Sequence, residues 1–334
     1  MSEQSAPSAE AQEYVAGRSV TVVVVPRERF SHTQEALESI YRNADYPFEL
    51  VYVDGNSPAR VAEYLRKTSA ERNFRLLRTE HFLSPNQARN LGLVGVRSDY
   101  VVFIDNDFVV EARWLRHLVE CATDTGAWAV APIIFQGAPK DQVIHTAGGR
   151  SHITERDGVR TLTFEQRFAR RRYDEVSAEL VRSESEMFEF HCVLLSMEAM
   201  RAVGTLDEEY LSVCEHDDLG LLIQRAGGTI YLEPAARGTF PAGVLDKSDR
   251  EYARLRWSDG RNRQSTQHFR EKWDLDERWG AETLDWCAGH RRRLLGQRRN
   301  PAIVLRWGFR RVAKGLLGKR TYEKLRYSPR RHVS

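Results

Sequence analysis

Asp105 and Asp107 flank Asn106 directly after an apolar run, YVVFI at 100–104. Alternate residues of an extended segment point the same way, so both carboxylates are predicted to face one side. Two such groups can hold a hard divalent ion, Mg²⁺ or Mn²⁺, at about 2.0–2.2 Å, with positions left for water and a diphosphate. The plain alternative is a solvated turn after a strand. A second cluster is Asn86, Arg89 and Asn90, related by i+3 and i+4 and therefore on one helix face near an N-terminus, the end that favours anions. The third is Glu215-His216-Asp217-Asp218, opening an amphipathic stretch that ends at Gly227-Gly228. Acids at a helix start are favoured by its dipole. Four consecutive ionisable groups exceed what that requires, and crowded like charges raise a carboxylate pKa toward the range of a general base.

Such groups need a frame to bring them together. SVTVVVV at 19–25 is a β-branched run, predicted to be a strand buried on both faces. Leu37, Ile40 and Tyr41 form a helical stripe, and 49–53 is a second strand. Ser57-Pro58 reads as an N-cap with proline at the first helical position, ahead of a helix whose face holds Val61, Tyr64 and Leu65. A weaker strand covers 74–78, Ser84-Pro85 repeats the cap and opens a helix through Gly92, and 100–104 is a fourth strand. Strands that begin near 19, 49, 74 and 100 with helices between them predict βαβ crossovers and a parallel sheet. Such sheets bind ligands at the carboxyl ends of their strands. Pro26 to Arg29, Asp54 to Ser57 and Asp105 to Asp107 all fall there.

Composition narrows the class. The chain has 334 residues, 29% charged and 41% hydrophobic, enough for one large core or a domain with an appendage. No stretch approaches the roughly 20 apolar residues of a membrane span. The N-terminus lacks the apolar core of a secretory signal. Four scattered cysteines, with no CxxC spacing, argue against a zinc framework or a disulfide scaffold and fit a reducing compartment. The net charge of +3 divides unevenly: residues 291–334 carry +14, leaving −11 on the rest.

The order of these segments resembles the family-2 glycosyltransferases with the GT-A fold. The resemblance is carried by the strand ending in Pro26, VYVDGNS at 51–57, NQARNLG at 86–92, VVFIDND at 101–107 and EHDDLGLLIQRAGG at 215–228, with VGTLDE at 203–208 and HTAGG at 145–149 in support. It covers about residues 18–245. It implies an α/β fold of GT-A type, Rossmann-like, with a mostly parallel central sheet flanked by helices and a helical, basic C-terminal extension. It implies an inverting enzyme that moves a sugar from a nucleotide-diphosphate sugar to an acceptor hydroxyl with Mn²⁺ or Mg²⁺. Pro26 and Glu28 would line the nucleotide pocket, and Asp54 would bond the base or ribose. Asn86 and Arg89 would contact the nucleotide sugar, or Arg89 would brace the acidic loop. Asp105 and Asp107 would bear on the ribose and on the metal bound to the diphosphate, and Asn106 would join Asp105 in binding the nucleotide sugar. Glu215, His216 or Asp217 would take the acceptor proton. The sequence departs from the family in two places. His216 stands where the usual base is an acid, and GTFPAG at 238–243 lacks a histidine that relatives carry as a metal ligand, leaving His191 or His268 as substitutes.

Four segments are expected: a disordered tail at 1–17, the glycosyltransferase domain at 18–245, a helical acceptor-side extension at 246–290, and a basic amphipathic tail at 291–334. The tail interleaves apolar and basic residues, as membrane-surface helices do. That suits a glycan or lipid-linked acceptor and a cytoplasmic enzyme docked on the inner face of an anionic membrane. The alternative is a tail packed on the acidic body. No zinc or RNP-like pattern points to nucleic acid. Competing readings are a decayed GT-A scaffold working through its basic tail, a nucleotidyltransferase, and a phosphotransfer enzyme with Asp105 as nucleophile.

Overall fold

The structure is a computed structural model that describes residues 17–297. Nearly all of the expected N-terminal tail and most of the expected basic tail lie outside the described residues.

Strand β1 (Val20–Val25) is buried along its whole length, as its β-branched composition requires. Val22 and Val24 enter the core on one face of the sheet, and Val23 and Val25 the core on the other. Strand β1 pairs in parallel with β2 (Glu49–Gly55) and with β4 (Tyr100–Asp105), and β2 with β3 (Arg75–Thr79). The crossovers are α1 (Thr33–Asn43), α2 (Ala59–Arg72) and α3 (Pro85–Leu93). Strand β3 is the sheet edge and only partly buried, which explains its weaker apolar signal. Ser84 is the N-cap of α3 and Pro85 follows at the first helical position, as expected, and the Gln87 side chain accepts from the Ser84 amide at 2.9 Å. At Ser57-Pro58 the expected cap is corrected. Pro58 itself occupies the N-cap position, because the Ser57 amide donates to Asp54 Oδ1 at 2.8 Å and its hydroxyl accepts from Arg78.

The second half of the chain completes the sheet. It contains β5 (Val109–Val110), α4 (Trp114–Thr125), β6 (Ala129–Gln136), β7 (Val143–Thr146), β8 (Gly149–Arg156) and β9 (Val159–Gln166). The short α5 (Tyr173–Val176), β10 (Ser183–Ser185), β11 (Cys192–Ser196) and α6 (Met197–Val203) follow. Next come α7 (Glu215–Arg225) and β12 (Ile230–Phe240). The sheet order is β10-β12-β6-β11-β4-β1-β2-β3. Strand β11 is inserted antiparallel between β6 and β4, while β12 and β6 run parallel. The result is a mostly parallel sheet with one reversed interior strand, flanked by helices. Strands β8 and β9 form a separate hairpin.

Three helices follow: α8 (Arg250–Arg256), α9 (Asp259–Lys272) and α10 (Ala281–Leu294). Helix α10 runs across position 290, where the tail was expected to begin. A third core joins these helices to the acidic motif: Tyr210, Val213, Cys214 and Leu221 pack with Trp257, Phe269, Trp273 and Cys287. Among the described residues no helix is long and apolar enough to cross a membrane.

Candidate active site

Strand β4 delivers Asp105 and the turn after it delivers Asp107, both buried. Asp105 Oδ2 lies 2.9 Å from His191 Nδ1 and 3.5 Å from Arg27 Nε. Burial pushes the Asp105 carboxyl up, but His191 and Arg27 outweigh it and hold the group below its ordinary value. Asp107 has no such rescue. Burial, then the neighbouring charges of Asp105 and Glu28, raise it well above the carboxylate range despite Arg27 and Arg29. Arg27 gathers the site: burial disfavours its charge, yet Asp105, Glu28, Glu215 and Asp107 together keep it firmly protonated.

Several expected ligand-binding residues have partners within the chain. Asp54 accepts from the Ser57 amide and pairs with Arg78. Glu28 Oε1 receives Trp257 Nε1 at 3.0 Å and lies 2.9 Å from His290 Nε2. Burial opposes the Glu28 charge, but His290, then Arg27 and Arg256, hold its carboxyl well below the usual range. Asn106 accepts the Arg27 amide at 2.8 Å and donates to Thr33 Oγ1 at 3.1 Å, tying the segment after β1 to the end of β4. Pro26 is buried at the end of β1. Asn86 donates to Asp207 O and Asn90 exchanges two bonds with the backbone of Leu206, so the polar face of α3 clamps the loop ahead of the acidic motif. Arg89 stacks on Phe190, 3.6 Å from the ring centroid, and Asn86 Oδ1 accepts from its Nη1. Burial lowers the Arg89 pKa to about 10, with Glu215 and Asp105 holding it up.

The acidic motif separates into two environments. Glu215 is buried, its Oε1 3.9 Å from Arg89 Nη1 and 3.4 Å from Arg256 Nη2. Asp218 is buried and accepts from Tyr210 Oη, Trp273 Nε1 and Lys272 Nζ at 2.9–3.0 Å. These two acids hold the loop. His216 and Asp217 remain reachable, with side chains 24% and 12% exposed and His216 Nε2 3.5 Å from Asp217 Oδ2. Asp217 Oδ1 is buried without a hydrogen-bond partner. Burial, then Glu189 and Glu215, raise the Asp217 pKa against the pull of His216. His216 is raised in turn: Asp217, Glu189 and Glu215 outweigh its burial. The motif is entered through Cys214 at φ 72°, a left-handed turn that a cysteine adopts at a cost of about 1–3 kcal/mol and that such sites tend to concentrate.

Of the two substitute histidines, His191 is in this corner and His268 is not. His268 Nε2 lies 2.8 Å from Asp207 Oδ2, and its ring meets Tyr210. Phe240, in the GTFPAG segment, stacks face to face on His191 with centroids 4.2 Å apart. Sequence reasoning assigned no role to Arg27, Glu189, Arg256 or Lys272. Glu189 offered a signal in E-F-H at 189–191, where alternate residues lead into a strand and share a face.

The comparisons bear on the same segment. Residues 21–177 match the family model for glycosyl transferase family 2, which stops short of the acidic motif. No curated protein matches the sequence. Among solved structures, the chain is similar to GalNAc-T7 crystallised with UDP, GalNAc and Mn²⁺, at 16% identity and TM-score 0.51, over 82% of this chain and 58% of that one. It is similar to the mannosyltransferase PcManGT from Pyrobaculum calidifontis, in complex with GDP-Man and Mn²⁺, at 15% identity and TM-score 0.51, over 83% of this chain and 74% of that one. The chain thus spans less than two thirds of GalNAc-T7. Residues 21–177, which include Asp105 and Asp107, thus resemble glycosyl transferase family 2, and the chain shares the GT-A fold of these two structures.

Proposed function

We propose that the protein is an inverting glycosyltransferase that moves a sugar from a nucleoside-diphosphate sugar to an acceptor hydroxyl. The observation that carries this reading is the meeting of two acid groups at one sheet edge. Arg27 Nε stands 3.5 Å from Asp105 Oδ2 and carries the fields of Asp107 and Glu215, while His216, 3.5 Å from Asp217, lies in the fields of Arg27, Glu215 and Glu189. The nucleotide would lie against the ends of β1 and β2 with its diphosphate toward Asp105 and Asp107. A divalent ion bound there would neutralise the diphosphate charge, and the buried, under-bonded carboxylates of Asp105 and Asp107 suit a cation. Asp217 takes the proton of the acceptor hydroxyl as its oxygen attacks the anomeric carbon from the face opposite the diphosphate. The bond from that carbon to the diphosphate oxygen breaks, and the nucleoside diphosphate leaves with the electron pair, so the configuration inverts. His216 sits beside Asp217 as a charge partner that favours the carboxylate. Glu215, between Arg89 and Arg256, is assigned to holding the loop. The basic stretch 291–334 supports a glycan or lipid-linked acceptor at an anionic membrane surface, with the enzyme docked on its cytoplasmic side.

The test is a panel of nucleotide sugars with Mn²⁺, scored by released nucleoside diphosphate. A true donor at 100 times its Kd adds about 2.7 kcal/mol to the folded state, readable as a thermal shift. Asp217→Asn is expected to lower turnover by about 10²–10⁴-fold, and Asp107→Ala to abolish it while the fold persists. Release of nucleotide by Asp217→Asn at the wild-type rate would remove Asp217 from the mechanism. No release from any donor would remove the function.

A further inference from the structure

Behind Asp105 lies a second convergence. His145, from β7, points Nε2 at Glu189 Oε2 across 2.9 Å. His191, directly before β11, brings its own Nε2 to 3.7 Å from the same oxygen. The three donor atoms all lie within 4.8 Å of one another, and among the described residues no other trio of metal-ligating side chains does so. The groups behind them are also in place. Asp105 Oδ2 is 2.9 Å from His191 Nδ1, and Gln166 Nε2 donates to the other oxygen of Glu189 at 2.8 Å. Asp105 Oδ2 and His191 Nδ1 are not aligned as a hydrogen bond, but the Asp105 charge beside Nδ1 favours a proton on that nitrogen and leaves Nε2 with its lone pair. A lone pair directed at a carboxylate oxygen 3.7 Å away is repelled by it, and a cation at the focus turns the repulsion into coordination. The rings are fixed for it: His191 lies between Phe240 and Phe108, and His145 sets its edge against Phe240 at 4.9 Å.

We propose that His145 Nε2, Glu189 Oε2 and His191 Nε2 form a transition-metal seat, with Asp105 orienting His191 rather than binding the ion itself. Two imidazoles and one carboxylate favour zinc-like and other first-row transition ions over Mg²⁺ or Ca²⁺, which prefer all-oxygen cages. The seat adjoins both Asp105 and, through Glu189, His216. Only the use of the ion rests on the glycosyl-transfer reading; its binding does not.

The experiment titrates Co²⁺ into the metal-free full-length chain, with and without UDP, following visible absorption and heat. Without UDP one ion is expected to bind, with the intensified bands of nitrogen coordination, and excess Mg²⁺ is expected not to displace it; any further ion taken up with UDP belongs to Asp105 and Asp107. His145→Ala and Glu189→Gln should each weaken binding at least about tenfold, and Asp105→Asn about 10–100-fold. Asp107→Asn should leave the cobalt spectrum unchanged. His145 is only partly buried, so His145→Ala keeps the fold, checked by circular dichroism. Cobalt binding indifferent to His145→Ala and Glu189→Gln, ready displacement by Mg²⁺, or no binding with or without UDP would each overturn the seat. If nucleotide sugars are turned over while cobalt ignores the trio, the function stands without this seat. If cobalt binds through the trio and no donor is turned over, the seat stands without the function.

Discussion

Asp217 and His216 are neighbours whose charges decide each other's protonation. Burial, Glu189 and Glu215 push Asp217 above an ordinary aspartate, so in acid it takes up its proton earlier than the usual value of about 3.9. A base is active only when deprotonated, so kcat/KM should fall on the acid side from a pH above that value. His216, when protonated, pulls Asp217 down. Removing that charge in His216→Asn therefore raises Asp217 further and moves the acid limb of the profile to higher pH, with turnover near pH 8 largely kept. Loss of turnover at every pH in His216→Asn would instead make the imidazole the base. At this scale the sequence was informative about type and position and silent about partners. Asp54, Glu28 and Asn106 stand at the predicted edge and Glu215 opens α7, yet Arg78, Trp257 with His290, Thr33, and Arg89 with Arg256 hold them. Those partners come from segments far away in the chain, and no local pattern names them.

Among the elements, α3 and α7 place the site, and each depends on a contact that can be perturbed alone. Gly92 brings α3 onto β1 so closely that a Cβ there would sit 2.3 Å from Val23 Cγ1. Gly92→Ala should cost about 1–3 kcal/mol through overpacking, less the roughly 1 kcal/mol that alanine returns to a helix. Urea unfolding should show a smaller penalty for Gly92→Ala in a Val23→Ala background; an equal penalty would mean that the two atoms do not compete. Helix α7 is anchored by Asp218, whose charge faces Lys272 with Tyr210 and Trp273 as donors. Asp218→Ala leaves the Tyr210 hydroxyl and the Trp273 indole without their acceptor, although Lys272 keeps Asp207 at 2.8 Å, and should cost about 3 kcal/mol. Lys272→Met should cost less, because Lys272 is 28% exposed and its screening is greater. The reverse order of unfolding midpoints would contradict this anchoring. The first four strands were legible because a strand buried on both faces reads as an unbroken apolar run. Strand β11 was not read: its five residues, CVLLS, are too short to separate from a helical turn, and its slot between β6 and β4 is set by pairing, not by its own composition.

The whole molecule closes through the contact between the start of the chain and its last described helix. Glu28, after β1, meets His290 on α10 and Trp257 after α8, so the C-terminal helices are fastened to the carboxyl end of β1. The folded Glu28 carboxyl is held below its ordinary value of about 4.3. Its contribution is thus complete above that value and is lost as the pH falls toward the folded value. Glu28→Gln should lower the urea midpoint at pH 7 and reduce the further loss as the pH falls below about 4. Equal acid sensitivity in both proteins would show that the fastening lies elsewhere. The βαβ half of the architecture followed from periodicity. The trio of His145, Glu189 and His191 did not, because its members are scattered in sequence and only the sheet brings them together. The reversed strand has a consequence for synthesis. Until residues 192–196 leave the ribosome, the nascent β4 has no partner on one side and shows an open row of amides and carbonyls. Such an edge invites pairing with other chains. Slowing elongation before codon 192 should therefore promote aggregation of the nascent polypeptide, whereas a chaperone that shields that edge should restore the soluble yield.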